Sequence, residues 1–339
     1  MEIKKVLVTG SEGYIGKVLV KKLMDKGYFA VGLDTNYYMD EDPTRYKFLH
    51  QDIRKLDNIS LTNFDAIIHL AALSNDPIGA IDPTLTEEIN GKASIRLAQR
   101  AKKTGVKRFL FSSSCSIYGI AKEDEVNEES DVNPLTAYAR SKKQVEDALL
   151  DLSCETFCTG ILRNSTVYGY SPNFRDDLVV NNLMACAFVT GELRIMSDGT
   201  PWRPLIDVRD LSDIFVEFLN VDPKKINGSV FNIGFNDSNF QVKDIINLIQ
   251  KEIPECKVVY TGEHGADSRS YKVRFNKFQQ VFPHIVQNWP LPKSIHDLRL
   301  QLKKIHFSLG DFDQMKYSRL TKIKKLLQDK KIDNKLFWL

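Results

Sequence analysis

The stretch VTGSEGYIG, Val8–Gly16, decides the prediction of the fold. It continues the apolar run KKVLV and opens a segment whose apolar side chains recur at helical spacing. Its glycines, Gly10, Gly13 and Gly16, let the backbone turn tightly and approach a diphosphate, and the free N–H groups at the start of a helix attract an anion. Strand, glycine turn and helix in this order therefore predict a dinucleotide site.

Three further apolar runs follow the same rhythm, each after a helical or loop segment: Phe29–Asp34, Asp65–Ala72 and Val106–Ser114. Strands that alternate with helices form βαβ units, so this rhythm indicates a parallel sheet. We therefore predict an α/β protein with a Rossmann-type doubly wound parallel sheet and a smaller C-terminal substrate-binding lobe.

The pattern loosens after Tyr168, which suggests a division of the chain. We assign residues 1–169 to a cofactor-binding domain, which segments near 204–235 rejoin. Residues 170–305 mainly form the substrate-binding lobe. Residues 306–339 are expected to form a C-terminal helical tail, with a basic solvated face and an apolar face packed on the body or on a partner subunit.

Composition excludes several classes of protein. A net charge of +3 over 339 residues gives no reason to expect nucleic acid. No apolar run approaches the ~20 residues of a membrane helix, and no signal-peptide pattern is present, so we expect a cytoplasmic protein that binds no membrane. The five cysteines are scattered, and Cys154 and Cys158 lack the partners of a zinc site. We predict free thiols and no metal.

Asp34 ends the second predicted strand, about 20 residues beyond the glycine turn. A carboxylate at this place accepts hydrogen bonds from the adenosine ribose and repels a 2′-phosphate. The predicted cofactor is therefore NAD rather than NADP.

The segment YARSK places Tyr138 and Lys142 four residues apart at the start of a predicted helix. Residues i and i+4 share a helix face, so the lysine cation stabilises the phenolate of the tyrosine. Such a tyrosine takes a proton from an alcohol while a hydride leaves the same carbon for NAD. The serines of Ser112–Ser114 precede this pair.

Several motifs agree in order and spacing with one family. They are TGSEGYIG, Asp34, DIR at 52–54, HLAALS at 69–74, IN at 89–90, SSSCSIYG at 112–119, YARSK at 138–142 and NNL at 181–183. Over roughly residues 1–305 the chain resembles an extended short-chain dehydrogenase/reductase of the NAD-dependent nucleotide-sugar epimerase/dehydratase family.

The resemblance implies a set of NAD-binding residues: Gly10, Gly13, Tyr14, Ile15, Gly16, Asp34, Asp52, Ile53, Leu70, Ala71, Ala72, Ser74, Asn90, Ser112, Tyr138 and Lys142. Within this set, Asp52 and Ile53 would contact the adenine. Leu70, Ala71, Ala72 and Ser74 would line the diphosphate and ribose. Lys142 would also hold the nicotinamide ribose.

The resemblance also implies a nucleoside-diphosphate sugar as substrate and a homodimer. Ser114 takes the place of the catalytic Ser/Thr that hydrogen-bonds the reacting oxygen, beside Tyr138 and Lys142. Thr166 stands where the family usually has asparagine, so a different contact to the sugar nucleotide is expected there. Arg203 and Arg269 are candidate cations for the diphosphate because a guanidinium forks onto phosphate oxygens. The implied substrate-binding residues are Ser114, Ser116, Thr166, Asn182, Leu183, Arg203 and Arg269.

The reaction is predicted from the two residues after Ser114. In related 4,6-dehydratases these are Asp and Glu, whereas here they are Cys115 and Ser116. A hydroxyl is a poor base at neutral pH, so dehydration is disfavoured. Enzymes that epimerise at C3 or C5 place a cysteine two residues before the motif tyrosine, and that position is again Ser116.

The predicted chemistry is therefore confined to C4, through a 4-keto intermediate. A nucleotide-sugar 4-epimerase is preferred. A net 4-dehydrogenase or 4-ketoreductase remains open, as does a catalytically silent NAD-binding scaffold.

Overall fold

The computed structural model describes residues 2–39, 43, 45–74, 82–120, 123–195, 198–260 and 270–339. Fourteen strands are assigned within these ranges: β1 (Lys5–Thr9), β2 (Phe29–Asp34), β3 (Lys47–His50), β4 (Ala66–His69), β5 (Arg108–Ser114), β6 (Glu125–Val126), β7 (Cys158–Asn164), β8 (Thr166–Tyr168), β9 (Glu192–Ile195), β10 (Trp202–Asp207), β11 (Ser229–Ile233), β12 (Asn239–Gln241), β13 (Lys257–Tyr260) and β14 (Lys272–Val273).

The α-helices of the described ranges are α1 (Tyr14–Asp25), α2 (Pro83–Thr86), α3 (Ser94–Lys103), α4 (Ala137–Leu152), α5 (Val179–Thr190), α6 (Val208–Asn220), α7 (Val242–Glu252), α8 (Asn276–Val281), α9 (Leu291–Lys304), α10 (Leu309–Asp313) and α11 (Arg319–Gln328). A π-helix at Glu87–Ala93 joins α2 to α3. Short 3₁₀ turns lie at Cys115–Tyr118, Pro223–Lys225 and Asn236–Ser238. No helix of these ranges combines the length and the apolar character that a membrane crossing requires.

The central sheet has seven parallel strands in the order β3-β2-β1-β4-β5-β7-β11. The predicted doubly wound parallel sheet is thereby confirmed. The strand order reverses between β1 and β4, because the chain runs outward in one direction from β1 to β3 and in the other from β4 onward. At such a point the connections diverge and leave a crevice outside the carboxyl ends of the strands.

Alternation along β1 explains how helices cover both faces of the sheet. Successive side chains of a strand point to opposite faces. Leu7 therefore enters one core with α3, α4 and α11, whereas Val6 and Val8 enter another with α1, α6 and α8. All three side chains are fully buried, as expected for a parallel sheet with both faces covered.

The second lobe has its own small sheets and core. β8 and β12 flank β10, and β9 pairs with β13. Helices α5, α7 and α9 pack over these elements in a separate apolar cluster. β11, within the segment 204–235, joins the edge of the seven-stranded sheet beside β7. The domain boundaries drawn from the sequence stay a prediction.

The C-terminal tail packs against the cofactor-binding half of the chain. Its apolar side chains Ile323, Leu326, Ile332 and Leu336 belong to the same buried cluster as the sheet residue Leu33. After α11, residues 332 and 338 pair with each other in an isolated antiparallel β-bridge.

Candidate active site and cofactor cleft

A cavity of about 1060 Å³ lies along the carboxyl ends of five adjacent strands, β2, β1, β4, β5 and β7. Neighbouring strands are about 4.8 Å apart, so the ends of β2 and β7 are separated by about 19 Å. Asp34 ends β2, and Ser114 and Asn164 end β5 and β7. The cavity is therefore elongated, with acidic and serine-rich ends far apart.

The glycine turn forms the floor of the cavity at the start of α1. Gly10 has a φ of +75°, and a Cβ there would lie 2.7 Å from the Ala71 nitrogen. A Cβ on Gly16 would lie only 2.1 Å from the Gly10 oxygen. Helix α1 begins after Gly13 without a side-chain cap, so its first N–H groups are available to an anion in the cavity.

We expect Gly16→Ala to destabilise the protein by about 1–3 kcal/mol and to weaken NAD binding. The added methyl group would meet backbone oxygens of Gly10 and Ser11, at 2.1 and 2.6 Å, which can move only if the turn distorts. Urea unfolding and NAD titration would measure both effects. Gly310→Ala is the matched control, because the nearest atom to its Cβ would be 3.8 Å away. Equal stability of the two variants would contradict the prediction.

Asp34 forms the wall of the cavity beside the glycine turn. Its carboxylate accepts hydrogen bonds from the backbone nitrogens of Glu12, at 3.0 Å, and Asn36, at 2.9 Å. Burial raises the pKa of Asp34, and these backbone donors oppose that shift. Each carboxylate oxygen can accept a further bond, so Asp34 can still receive ribose hydroxyls. Asp52, which is paired with Arg54, and Ile53 also line this end.

The loop after β4 forms the opposite wall. Leu70, Ala71, Ala72 and Ser74 all line the cavity. Asn90 does not, because its amide oxygen accepts from the Leu73 nitrogen at 2.8 Å and its nitrogen donates to the Leu73 oxygen at 3.1 Å. Asn90 thus holds the loop from behind the wall.

The predicted catalytic pair lies at the serine-rich end. Thr136 caps α4, which places Tyr138 in the first turn and Lys142 one turn later. The Lys142 Nζ lies 5.6 Å from the centre of the Tyr138 ring and donates to the Ser112 oxygen at 2.7 Å. Burial lowers the pKa of Lys142 to about 7. Tyr138, Lys142, Ser112 and Ser114 all line the cavity.

The two residues after Ser114 point in different directions. The thiol of Cys115 is 1% exposed and donates to the Arg163 oxygen at 3.2 Å, behind the cavity wall. Burial strongly raises the pKa of this thiol. Ser116 lines the cavity, and its buried hydroxyl has no hydrogen-bond partner among the described residues. Its nitrogen donates to the Ser114 hydroxyl at 3.1 Å.

A buried ionic network supports this end from below. The Arg163 guanidinium donates to both oxygens of Glu146, and its second branch donates to the Tyr118 hydroxyl at 3.0 Å. The Ser113 hydroxyl also donates to Glu146. Glu146 is on α4 and Ser113 is on β5, so the network ties the helix of Tyr138 to the strand of Ser114.

The predicted substrate residues are only partly together. Ser114, Ser116 and Thr166 line the cavity. Leu183 is in the core of the second lobe, and the Asn182 amide donates to the Asp176 oxygen at 2.8 Å. The described wall of the cavity includes neither residue.

Of the two candidate cations, Arg203 does not line the cavity. Arg203 is on β10 and donates to the Trp202 oxygen at 2.9 Å. Arg269 lies outside the described residues.

Sequence reasoning missed several residues of the wall: Tyr37, Tyr38, Asn164, Arg175, Asp177 and Arg319. Arg175 follows the VYGY segment closely, so its place after β8 was a usable signal. Arg319 has no such signal, because only the folded tail brings it to the cleft.

The family model described as "NAD dependent epimerase/dehydratase family" matches residues 6–234. The chain belongs to this family. Among curated proteins of the family, UDP-glucose 4-epimerase 2 of Arabidopsis thaliana is 28% identical over 87% of this chain and 93% of its own. UDP-glucose 4-epimerase of Mycolicibacterium smegmatis is 30% identical over 62% of this chain and 72% of its own. The solved structure of MoeE5 in complex with UDP-glucose and NAD is 26% identical, covers 89% of this chain and 99% of its own, and has a TM-score of 0.77.

The family depends on NAD, and the cleft fits this cofactor. A Cβ added at Gly10 or Gly16 would collide with the backbone around the glycine turn, so only glycine leaves this turn open. The start of α1 offers N–H groups that no side chain caps. At the other end, the buried oxygen of the Asn164 amide lacks a hydrogen-bond partner among the described residues and lines the cavity. The diphosphate, the adenosine ribose and the nicotinamide end therefore each have polar groups available to them.

Proposed function

We propose that this protein is a UDP-sugar 4-epimerase that works through a 4-keto intermediate. The observation that carries the proposal is the composition of the catalytic end. Ser114, Tyr138 and Lys142 line the cavity, whereas the thiol of Cys115 is turned away from it. The segment 112–119 presents hydroxyl groups to the cavity and no carboxylate. Proton transfer at C3, C5 or C6 thus has no base or acid in this segment, and C4 chemistry remains.

The relatives support the choice of the sugar nucleotide. The curated proteins that match include UDP-glucose 4-epimerases and UDP-arabinose 4-epimerases. We therefore infer that the substrate is a UDP-linked hexose or pentose, and that catalysis inverts its C4 configuration.

The chain's own residues account for the proton at the C4 oxygen. Tyr138, as phenolate, takes the proton of the C4 hydroxyl, and the Ser114 hydroxyl donates a hydrogen bond to the same oxygen. The Lys142 ammonium stabilises the phenolate and orients the nicotinamide ribose. When bound, NAD supplies the acceptor for the hydride that leaves C4 and the donor that returns it.

Inversion then requires the 4-keto sugar to present its other face to the same residues. Tyr138 returns the proton to the oxygen, which restores the phenolate for the next cycle. Ser116 and Thr166 also line the cavity, and their hydroxyl groups are able to hydrogen-bond the turning sugar.

Mass spectrometry in deuterium oxide tests the proposal. The purified, NAD-loaded protein is incubated with UDP-, GDP-, CDP- and dTDP-sugars, and with a UDP-sugar that carries deuterium at C4. We expect the 4-epimer of a UDP-sugar, with no solvent deuterium and with the C4 label retained. The label is retained because the hydride returns to the carbon that lost it.

Other products would contradict the 4-epimerase proposal in distinguishable ways. A product two mass units lighter indicates a net 4-dehydrogenase, and loss of water indicates a dehydratase. Solvent deuterium at C3 or C5 indicates epimerisation there. Bound NAD with no turnover on any sugar indicates a silent scaffold.

We also propose, from the resemblance and the sequence, a cytoplasmic homodimer. The family membership supports the dimer. Light scattering during size-exclusion chromatography, at protein concentrations around those in the activity assay, would test the oligomeric state.

A further inference from the structure

We infer that the C-terminal tail is part of the cofactor site, where Arg319 supplies a buried positive charge to the diphosphate of NAD. The inference rests on the NAD site of the proposed function and does not depend on which sugar reaction follows. The family model ends at residue 234, so this cation comes from outside the part of the chain that carries the family pattern.

Arg319 lies inside the cleft rather than on the surface of the tail. It is the first residue of α11, is 4% exposed and lines the cavity. Its guanidinium carbon lies 4.4 Å from the centre of the Tyr38 ring, within the range of a cation–π interaction. Burial and the neighbouring Arg175 lower the pKa of Arg319 to about 10, so it stays charged at neutral pH.

A short chain of hydrogen bonds connects Arg319 to the glycine turn. One guanidinium nitrogen donates to the Asn173 oxygen at 3.0 Å. The Asn173 amide donates in turn to the Glu12 oxygen, and the Ser171 hydroxyl donates to the Tyr14 oxygen at 2.7 Å. The segment that holds Arg319 is therefore the one that rests on the phosphate-binding turn.

Arg319 has no salt-bridge partner within the described part of the chain, although the carboxylates of Asp34 and Asp177 lie near enough to attract its charge. The nearby Arg175 pairs with Asp177 through two hydrogen bonds, of 2.9 and 2.8 Å. Arg319 forms no ion pair with a described carboxylate, and its hydrogen bond goes to a backbone oxygen. Burying a charge is costly unless an opposite charge compensates it. A diphosphate in the cleft provides that charge, and a guanidinium suits phosphate oxygens.

The rest of the tail holds the adenosine wall in place. The Trp338 indole donates to the Thr35 oxygen at 2.6 Å, and the Tyr37 hydroxyl donates to the Leu336 oxygen. Arg54 donates to the Lys335 oxygen at 2.7 Å. Thr35 and Tyr37 themselves line the cavity, directly after Asp34. The tail thus stabilises the wall from the outside while Arg319 enters the cleft.

Calorimetric binding of NAD, ADP and adenosine to the full-length protein, freed of nucleotide with charcoal, tests the inference. Arg319→Met is expected to weaken NAD and ADP binding at least tenfold, because a charge-assisted contact to phosphate is lost, and to change adenosine binding less than twofold. Arg319→Lys keeps the charge and should recover part of the affinity. Lys324→Met removes an exposed charge from the same helix and should bind all three ligands like the wild type.

Unchanged NAD and ADP affinity in Arg319→Met would overturn the inference. An equal loss of affinity for adenosine would also overturn it, because Arg319 would then act by shaping the cavity wall and not by its charge. If Arg319→Met does not fold, the uncharged but polar Arg319→Gln decides, since a loss of affinity for ADP but not for adenosine supports the inference and unchanged affinity for both overturns it. A wild-type protein that binds neither NAD nor ADP would instead overturn the cofactor site itself and this inference with it.

Discussion

Tyr138→Phe is expected to lower kcat by about 10²- to 10⁴-fold, which is the usual contribution of a positioned acid–base group. Phenylalanine keeps the ring that packs near Lys142 but has no oxygen to take the C4 proton. Lys142 keeps its hydrogen bond to the Ser112 oxygen, so the cofactor end is unchanged. NAD binding and KM should therefore stay close to the wild-type values, and the loss should fall on kcat.

Two measurements separate a chemical defect from a binding defect in this variant. Steady-state kinetics gives kcat and KM, and the nucleotide released on denaturation gives the NAD content per chain. Tyr28→Phe removes a hydroxyl that donates to Asn220 outside the cleft, and it serves as the control with full activity. A Tyr138→Phe enzyme within tenfold of the wild-type kcat would contradict the assignment of Tyr138 as the acid–base group.

The parts of the site that were predictable from the sequence are those that local geometry determines. A glycine turn between a strand and a helix has few conformations, and Tyr138 and Lys142 share one helix face at any tertiary arrangement. Asp34 follows from the end of β2 in the same way. The parallel character of the central sheet was predictable because buried parallel strands have continuous apolar sequences.

The remaining parts depend on tertiary packing. The 3₁₀ turn at Cys115–Tyr118 directs the thiol of Cys115 toward Arg163 and leaves Ser116 in the cavity, and spacing alone does not give the direction of a side chain at a turn. Asn182 and Leu183 lie on helix α5. The Asn182 amide donates to the Asp176 oxygen, and the Leu183 side chain packs in the core of the second lobe. Arg319 enters the cleft only because the tail folds back over β2, which no local pattern encodes.

Arg163→Met is expected to lower the free energy of unfolding by about 3–5 kcal/mol, because it removes one partner of a buried ion pair. The Glu146 side chain is fully buried and would be left with the Ser113 hydroxyl as its donor within the described network. Neither Arg163 nor Glu146 lines the cavity, so kcat per folded molecule should change much less than in Tyr138→Phe. Urea unfolding of the NAD-free protein measures the effect.

The double variant Arg163→Met, Glu146→Leu isolates the cause. With both charges removed, the uncompensated carboxylate disappears, and apolar side chains of similar volume can fill the space between α4 and β7. We therefore expect the double variant to recover most of the stability that Arg163→Met loses. A double variant as unstable as the sum of the two single variants would show that the two residues act independently, and that the link between the helix of Tyr138 and the sheet is not the ion pair.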